Sequence, residues 1–78
     1  MNMFFKDETL FLNLVGNVEG DEIDSIRDKL YSVLDQYQIK NVVVSTKDLF
    51  NKNRGIINYL RSDYYKHYDG KFTIINNE

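Results

Sequence analysis

Cysteine, proline, tryptophan and alanine are all missing from this 78-residue chain. Without cysteine there is no thiolate nucleophile, no disulfide scaffold, and no structural zinc or iron–sulfur centre held by thiolates. The absence fits a reducing compartment, so a cytoplasmic protein is expected. Long apolar runs are missing too: none exceeds three residues, as at Val42 to Val44, against the roughly 18 needed to cross a bilayer. The start, Met1-Asn2-Met3-Phe4-Phe5-Lys6-Asp7, lacks the basic opening and apolar core of a secretory signal. No membrane insertion is expected.

What is present is enough for one small domain spanning residues 1–78, with a core in keeping with that length. The formal charge of −2 conceals an asymmetry. Residues 1–39 carry three basic and eight acidic side chains (net −5), whereas residues 40–78 carry seven and four (net +3). Such a two-faced chain can associate with itself or offer a basic patch to an acidic partner.

Hydrophobic spacing orders the elements. Met3-Phe4-Phe5, the polar turn Lys6-Asp7-Glu8, and the alternation of Leu10, Leu12 and Leu14 with Phe11, Asn13 and Val15 predict a hairpin with one face more apolar than the other. Ile23, Ile26, Leu30, Val33, Leu34 and Tyr37 form a helical stripe ending near Gln38, with Asp21 as the expected N-cap. Asn41-Val42-Val43-Val44-Ser45 reads as a strand covered on one or both sides, and the segment from Asp48 to Gly55 reads as a loop. A second stripe, Ile56, Ile57, Leu60, Tyr64 and Tyr68, precedes Asp69-Gly70, expected to supply a left-handed stop, and then the strand Phe72-Thr73-Ile74-Ile75. The order β-β-α-β-α-β predicts an α/β fold, with a mostly parallel sheet, an antiparallel N-terminal strand and two packed helices.

Catalytic chemistry has little to work with, and no enzyme activity is expected. The single histidine, His67, falls within the second helix, where a four-residue spacing to Asp63 allows a contact with no catalytic purpose. Glu19, Asp21, Glu22, Asp24 and Asp28 lack the glycine-centred loop of a calcium hand, and the glycines form neither phosphate-binding motif. No metal or other cofactor is expected. Arg54-Gly55 ahead of a helix offers at most a weak anion cradle.

Taken together, Leu12-Asn13-Leu14-Val15-Gly16-Asn17-Val18, the first helix, Asn41-Val42-Val43-Val44-Ser45, Leu49-Phe50-Asn51-Lys52-Asn53-Arg54-Gly55-Ile56 and Gly70-Lys71-Phe72-Thr73-Ile74-Ile75-Asn76 resemble the STAS domain. That family includes bacterial anti-sigma-factor antagonists and the cytoplasmic domains of sulfate transporters. Its pattern is a strand ending in L-x-G-x-h-D, a helix, a V-V-h-D-h strand, a loop h-x-F-h-D-S-S-G-h, a second helix, and a strand introduced by glycine. The resemblance covers most of the chain and implies a non-catalytic protein–protein interaction module in bacterial regulation, whose partner is an anti-sigma factor or a kinase-like regulator.

This sequence departs from the family where its switch resides. The serine that the partner kinase phosphorylates aligns with Asn53, and the acidic residue before it aligns with Lys52. Two further acidic positions align with Val18 or Glu19 and with Ser45. The resemblance therefore implies an antagonist-like module without the phosphorylation switch, although Ser45, Thr46, Ser62 and Thr73 keep hydroxyls in the region. The implied partner surface is Asn51, Lys52, Asn53, Arg54 and Gly55, with Asn58 and Arg61 on the exposed side of the second helix. The family pattern continues beyond the position of Asn77, so Phe72, Thr73, Ile74 and Ile75 are expected to form an edge strand. Homodimerisation or partner docking is expected along it, or over the face that a further helix would cover.

The competing expectation is a small nucleic-acid-binding module. Tyr59, Arg61, Tyr64, Tyr65, Lys66, His67, Tyr68, Lys71 and Phe72 interleave aromatic and basic side chains in the C-terminal half. Helical spacing places Tyr64 and Tyr68 in the core stripe and leaves Tyr59, Tyr65, Arg61 and Lys66 for solvent.

Overall fold

A computed structural model of the protein describes residues 2–50 and 54–75. β1 (Asn2–Lys6), β2 (Thr9–Gly16), α1 (Gly20–Tyr37), β3 (Asn41–Leu49), α2 (Arg54–His67) and β4 (Phe72–Ile75) follow in chain order. The sheet order is β1-β2-β3-β4, with β1 antiparallel to β2 and the other pairs parallel. The expected α/β architecture is the one found.

Successive strands are added in one direction, and right-handed crossovers then place both connecting helices on the same face of the sheet. Side-chain burial agrees. Leu10, Leu12, Leu14, Val42, Val44 and Phe72 from the strands share one buried cluster with Ile23, Ile26, Leu30 and Leu34 of α1 and Ile57, Leu60 and Tyr64 of α2. Each of these fully buried aliphatic side chains contributes about 1.5–3 kcal/mol. Val43, between Val42 and Val44, points to the other side, which neither helix covers.

The β1–β2 hairpin closes through Asp7 and Glu8, both with positive φ (54° and 63°). Positive φ at both central residues is the requirement of the two-residue turn whose twist matches a hairpin. The opposite end of β2 shifts register between Asn13 and Val15, so that Val15 pairs with Asp48 and Gly16 with Leu49.

That shift corrects one expectation. Asp48 and Leu49 belong to β3 rather than to a loop, because β2 offers them partners beyond the irregularity and Leu49 is buried in the core. The N-cap of α1 is Glu19, not Asp21. Its carbonyl accepts the Glu22 and Ile23 N–H groups, which starts the helix at Gly20 and places Asp21 in the first turn. The left-handed C-terminal residue of α1 is Gln38 (φ 55°).

Gly70 requires a different explanation from the one expected. It has no positive φ, and α2 ends at His67 without a left-handed glycine. Its constraint is spatial: a Cβ at this position would collide with the Lys40 carbonyl and the Tyr64 hydroxyl. The Tyr64 hydroxyl donates to that same carbonyl, and the N–H of the neighbouring Lys71 donates to Asn41 Oδ1 at 3.1 Å. The loop from α2 thus lies directly against the start of β3. Gly70→Ala is expected to destabilise the fold by about 2–4 kcal/mol, since part of the obstacle is fixed backbone. Urea unfolding measures this; a loss below about 0.5 kcal/mol contradicts the close-approach role.

Candidate functional site

Tyrosines and carboxylates join the two helices along their shared edge. Arg27 on α1 donates to Tyr59 Oη at 2.8 Å and lies 3.2 Å from Asp24 and 3.1 Å from Asp28. One to two turns along, the Tyr31 hydroxyl donates to Asp63 Oδ2 at 2.8 Å, and the Tyr68 hydroxyl donates to Asp35 Oδ1 at 2.7 Å. His67 stands edge-on to Tyr31 and 3.8 Å from Asp63. The expected contact between His67 and Asp63 is therefore present, between an exposed imidazole and a half-buried carboxylate.

Burial, followed by hydrogen bonding to a carboxylate, raises the hydroxyl pKa of Tyr31 and of Tyr68. Burial also raises that of Tyr64. Of the tyrosines in the C-terminal half, Tyr59 and Tyr68 thus bond to α1, while Tyr64 bonds to the Lys40 carbonyl. Tyr65 instead fastens the last strand. The Phe72 N–H donates to its Oη at 3.1 Å, and its hydroxyl lies 3.4 Å from the Phe72 carbonyl. Tyr59 and Tyr65 are exposed, as their spacing predicts, but both hydroxyls have partners within the fold.

Of the residues expected to meet a partner, Asn51, Lys52 and Asn53 lie outside the described residues. Arg54 and Gly55 open α2, just past the C-terminal end of β3. Asn58 and Arg61 are exposed and brought together, the guanidinium donating to Asn58 Oδ1 at 3.2 Å. Phe72 to Ile75 form an edge strand, as expected, next to β3. Phe72 is buried, Thr73 and Ile74 are half-buried, and Ile75 is exposed.

Spacing alone did not locate a further apolar surface, the helix-free face of the sheet. Phe4 pairs across β1–β2 with Phe11, which pairs with Val43, which pairs with Thr73, so one side-chain row crosses all four strands. The Phe4 and Phe11 rings stack with centroids 5.1 Å apart and planes 10° apart. Phe4 is 60% exposed, and Val15 and Ile75 are also exposed. Asn13, Ser45 and Lys47 share this face, with Asn13 Nδ2 donating to Asp48 Oδ2 at 3.1 Å. The signal was available: once both helices occupy the Leu10–Leu12–Leu14 side, Phe11 and Val43 are assigned by alternation to the other.

At the opposite end of the strands, a broad concavity is bounded by Phe5, Tyr37, the Asp7-Glu8 turn and Gly70. Phe5 and Tyr37 pack at 5.3 Å, and Lys40 and Asp69 pair at 3.5 Å. Its charges are of both signs. Among the described residues, no group of three histidine, aspartate or glutamate side chains is placed to hold a metal ion, and no helix is long and apolar enough to cross a membrane. No family model, curated protein or solved structure matches the chain.

The helix seam makes stability depend on alkaline pH. Tyr31 and Tyr68 hold their protons more tightly when folded, so the associated stability is complete below about pH 10, the ordinary tyrosine value, and is lost as pH rises through the higher folded values. The urea midpoint of the wild-type protein is therefore expected to fall more steeply above about pH 10 than that of the Tyr31→Phe/Tyr68→Phe variant. At neutral pH the variant should be less stable by about 1–3 kcal/mol in total. Parallel pH profiles contradict the seam's role.

Proposed function

We propose that this protein is a non-catalytic protein–protein interaction module of the cytoplasm. In this reading it is similar to a bacterial anti-sigma-factor antagonist, lacks the phosphorylation switch, and engages an anti-sigma factor or kinase-like partner. The observation that supports the reading is the uncovered sheet face: the row Phe4–Phe11–Val43–Thr73, with Phe4 60% exposed, is the kind of surface that interaction sites present. The element order and parallel central strands accord with the STAS resemblance. So does the position of the Arg54–Gly55 helix start past β3.

The switch-free aspect rests on Lys52 and Asn53, which carry neither the hydroxyl nor the acidic neighbour that phosphoryl transfer and its charge effect require. Nucleic-acid binding by the tyrosine-rich half is the weaker reading. Tyr59, Tyr64, Tyr65 and Tyr68 all use their hydroxyls within the domain, and Tyr64 is buried, which leaves Tyr59 and Tyr65 as the exposed tyrosine rings of that half.

Affinity capture from a lysate of the source organism tests the proposal with three baits: the wild type, Phe4→Lys on the open face, and Arg61→Glu on α2. A protein partner is expected with the wild type and is expected to be lost with at least one variant. Identical captures with all three, or none with the wild type, contradict the reading.

A further inference from the structure

We propose that the helix-free face of the sheet is the contact surface of a homodimer, in which two copies pack sheet against sheet as an α-β-β-α sandwich. The inference rests on the interaction-module reading and moves self-association from the β4 edge to the sheet face.

The edge itself is a poor template. Phe72 turns its N–H and C=O away from β3, but the Tyr65 hydroxyl occupies both. With the period of two along a strand, Ile74 alone within the four-residue β4 turns a second outward pair toward an incoming strand.

The face has the anatomy of a protein interface. Its centre is neutral and mostly apolar: the Phe4–Phe11 stack, Val43 and Ile75, with the uncharged Asn13, Ser45 and Thr73 among them. Charge is confined to the ends, where Lys47 adjoins Asp48 and Lys6 adjoins Asp7, so each end carries both signs and neither repels a second copy. A two-fold arrangement sets this surface against itself, matching apolar centre to apolar centre as in an aligned sandwich. A nucleic-acid strand is the poorer occupant, because cations are not interleaved with the stacked rings and the chain's formal charge is −2.

Area sets the strength. Four strands about 4.8 Å apart, of five, eight, nine and four residues, give a footprint of about 400 Å², so face-to-face packing buries on the order of 400–500 Å² per copy, or about 800–1,000 Å² in total. That is the low end for specific association. A reversible dimer with a dissociation constant of tens of micromolar is expected.

Sedimentation equilibrium of the full chain from about 5 to 500 μM tests this, a range that brackets micromolar association. The wild type is expected to show a monomer–dimer equilibrium that Phe4→Lys weakens at least tenfold with unchanged far-ultraviolet circular dichroism. Tyr65→Phe, which frees part of the edge, should leave it unchanged. If Phe4→Lys unfolds, the absence of native cysteine allows a second test: Ser45→Cys is expected to cross-link into dimers with a short bismaleimide, whereas Lys29→Cys on α1 is not. A wild type that remains monomeric throughout, a dimer strengthened by Tyr65→Phe, or equal cross-linking of both cysteine variants overturns the proposal. Monomeric wild type whose Phe4-dependent ligand is a single-stranded oligonucleotide also overturns it. A monomer that captures a protein partner through Phe4 refutes the dimer alone, while a monomer that captures none refutes the interaction-module reading as well.

Discussion

Two right-handed crossovers in succession, moving the same way across a four-stranded sheet, place both helices on one side of it. Much else in the molecule follows from that constraint. The Leu10, Leu12, Leu14, Val42 and Val44 row receives two helices and becomes the core, while the alternate row of Phe4, Phe11 and Val43 receives none. A chain of this size with one face covered keeps its stability in a single layer of contacts, so the joints within that layer carry unusual weight.

Three joints stand out. The helices are tied to each other by tyrosine hydroxyls aimed at carboxylates, Tyr31 to Asp63 and Tyr68 to Asp35, with Arg27 bridging Asp24, Asp28 and Tyr59. The end of α2 is tied to the start of β3 through Tyr64 and the Lys40 carbonyl, with Gly70 small enough to pass. The β4 edge is closed in part by Tyr65. Aromatic residues that in sequence suggest a nucleic-acid platform are thus largely the fastenings of the fold, with Tyr59 and Tyr65 keeping exposed rings, and the stacked Phe4–Phe11 pair lies at the other end of the chain.

The strand and helix periodicities were legible because burial is one-sided: Leu10, Leu12 and Leu14 alternate with less buried residues, and Ile23, Ile26, Leu30 and Leu34 recur at helical spacing. The extension of β3 through Leu49 was not, since Asp48 opens a segment that reads as loop chemistry and its pairing depends on an irregularity, a three-residue step in β3 (Ser45 to Asp48) against a two-residue step in β2 (Asn13 to Val15), that only the assembled sheet reveals. Gly70 was legible as punctuation but not in kind. A glycine needed for a left-handed turn and one needed for close packing look the same in sequence. Of the expected partner surface, Asn58 and Arg61 are adjacent on α2 and Phe72 to Ile75 are at an edge, whereas Asn51, Lys52 and Asn53 lie outside the described residues.

The uncovered face connects fold and function: it is the product of topology, and in our proposal it is also the place where the chain meets a second copy of itself. Isotope-filtered nuclear Overhauser spectroscopy on a mixture of labelled and unlabelled protein tests this without perturbing the sequence. At several hundred micromolar, contacts between copies are expected from the Val43 methyl groups to the Phe4 and Phe11 rings. Contacts between copies confined to Phe72–Ile75 edge groups, or none at that concentration, would refute a face-to-face dimer.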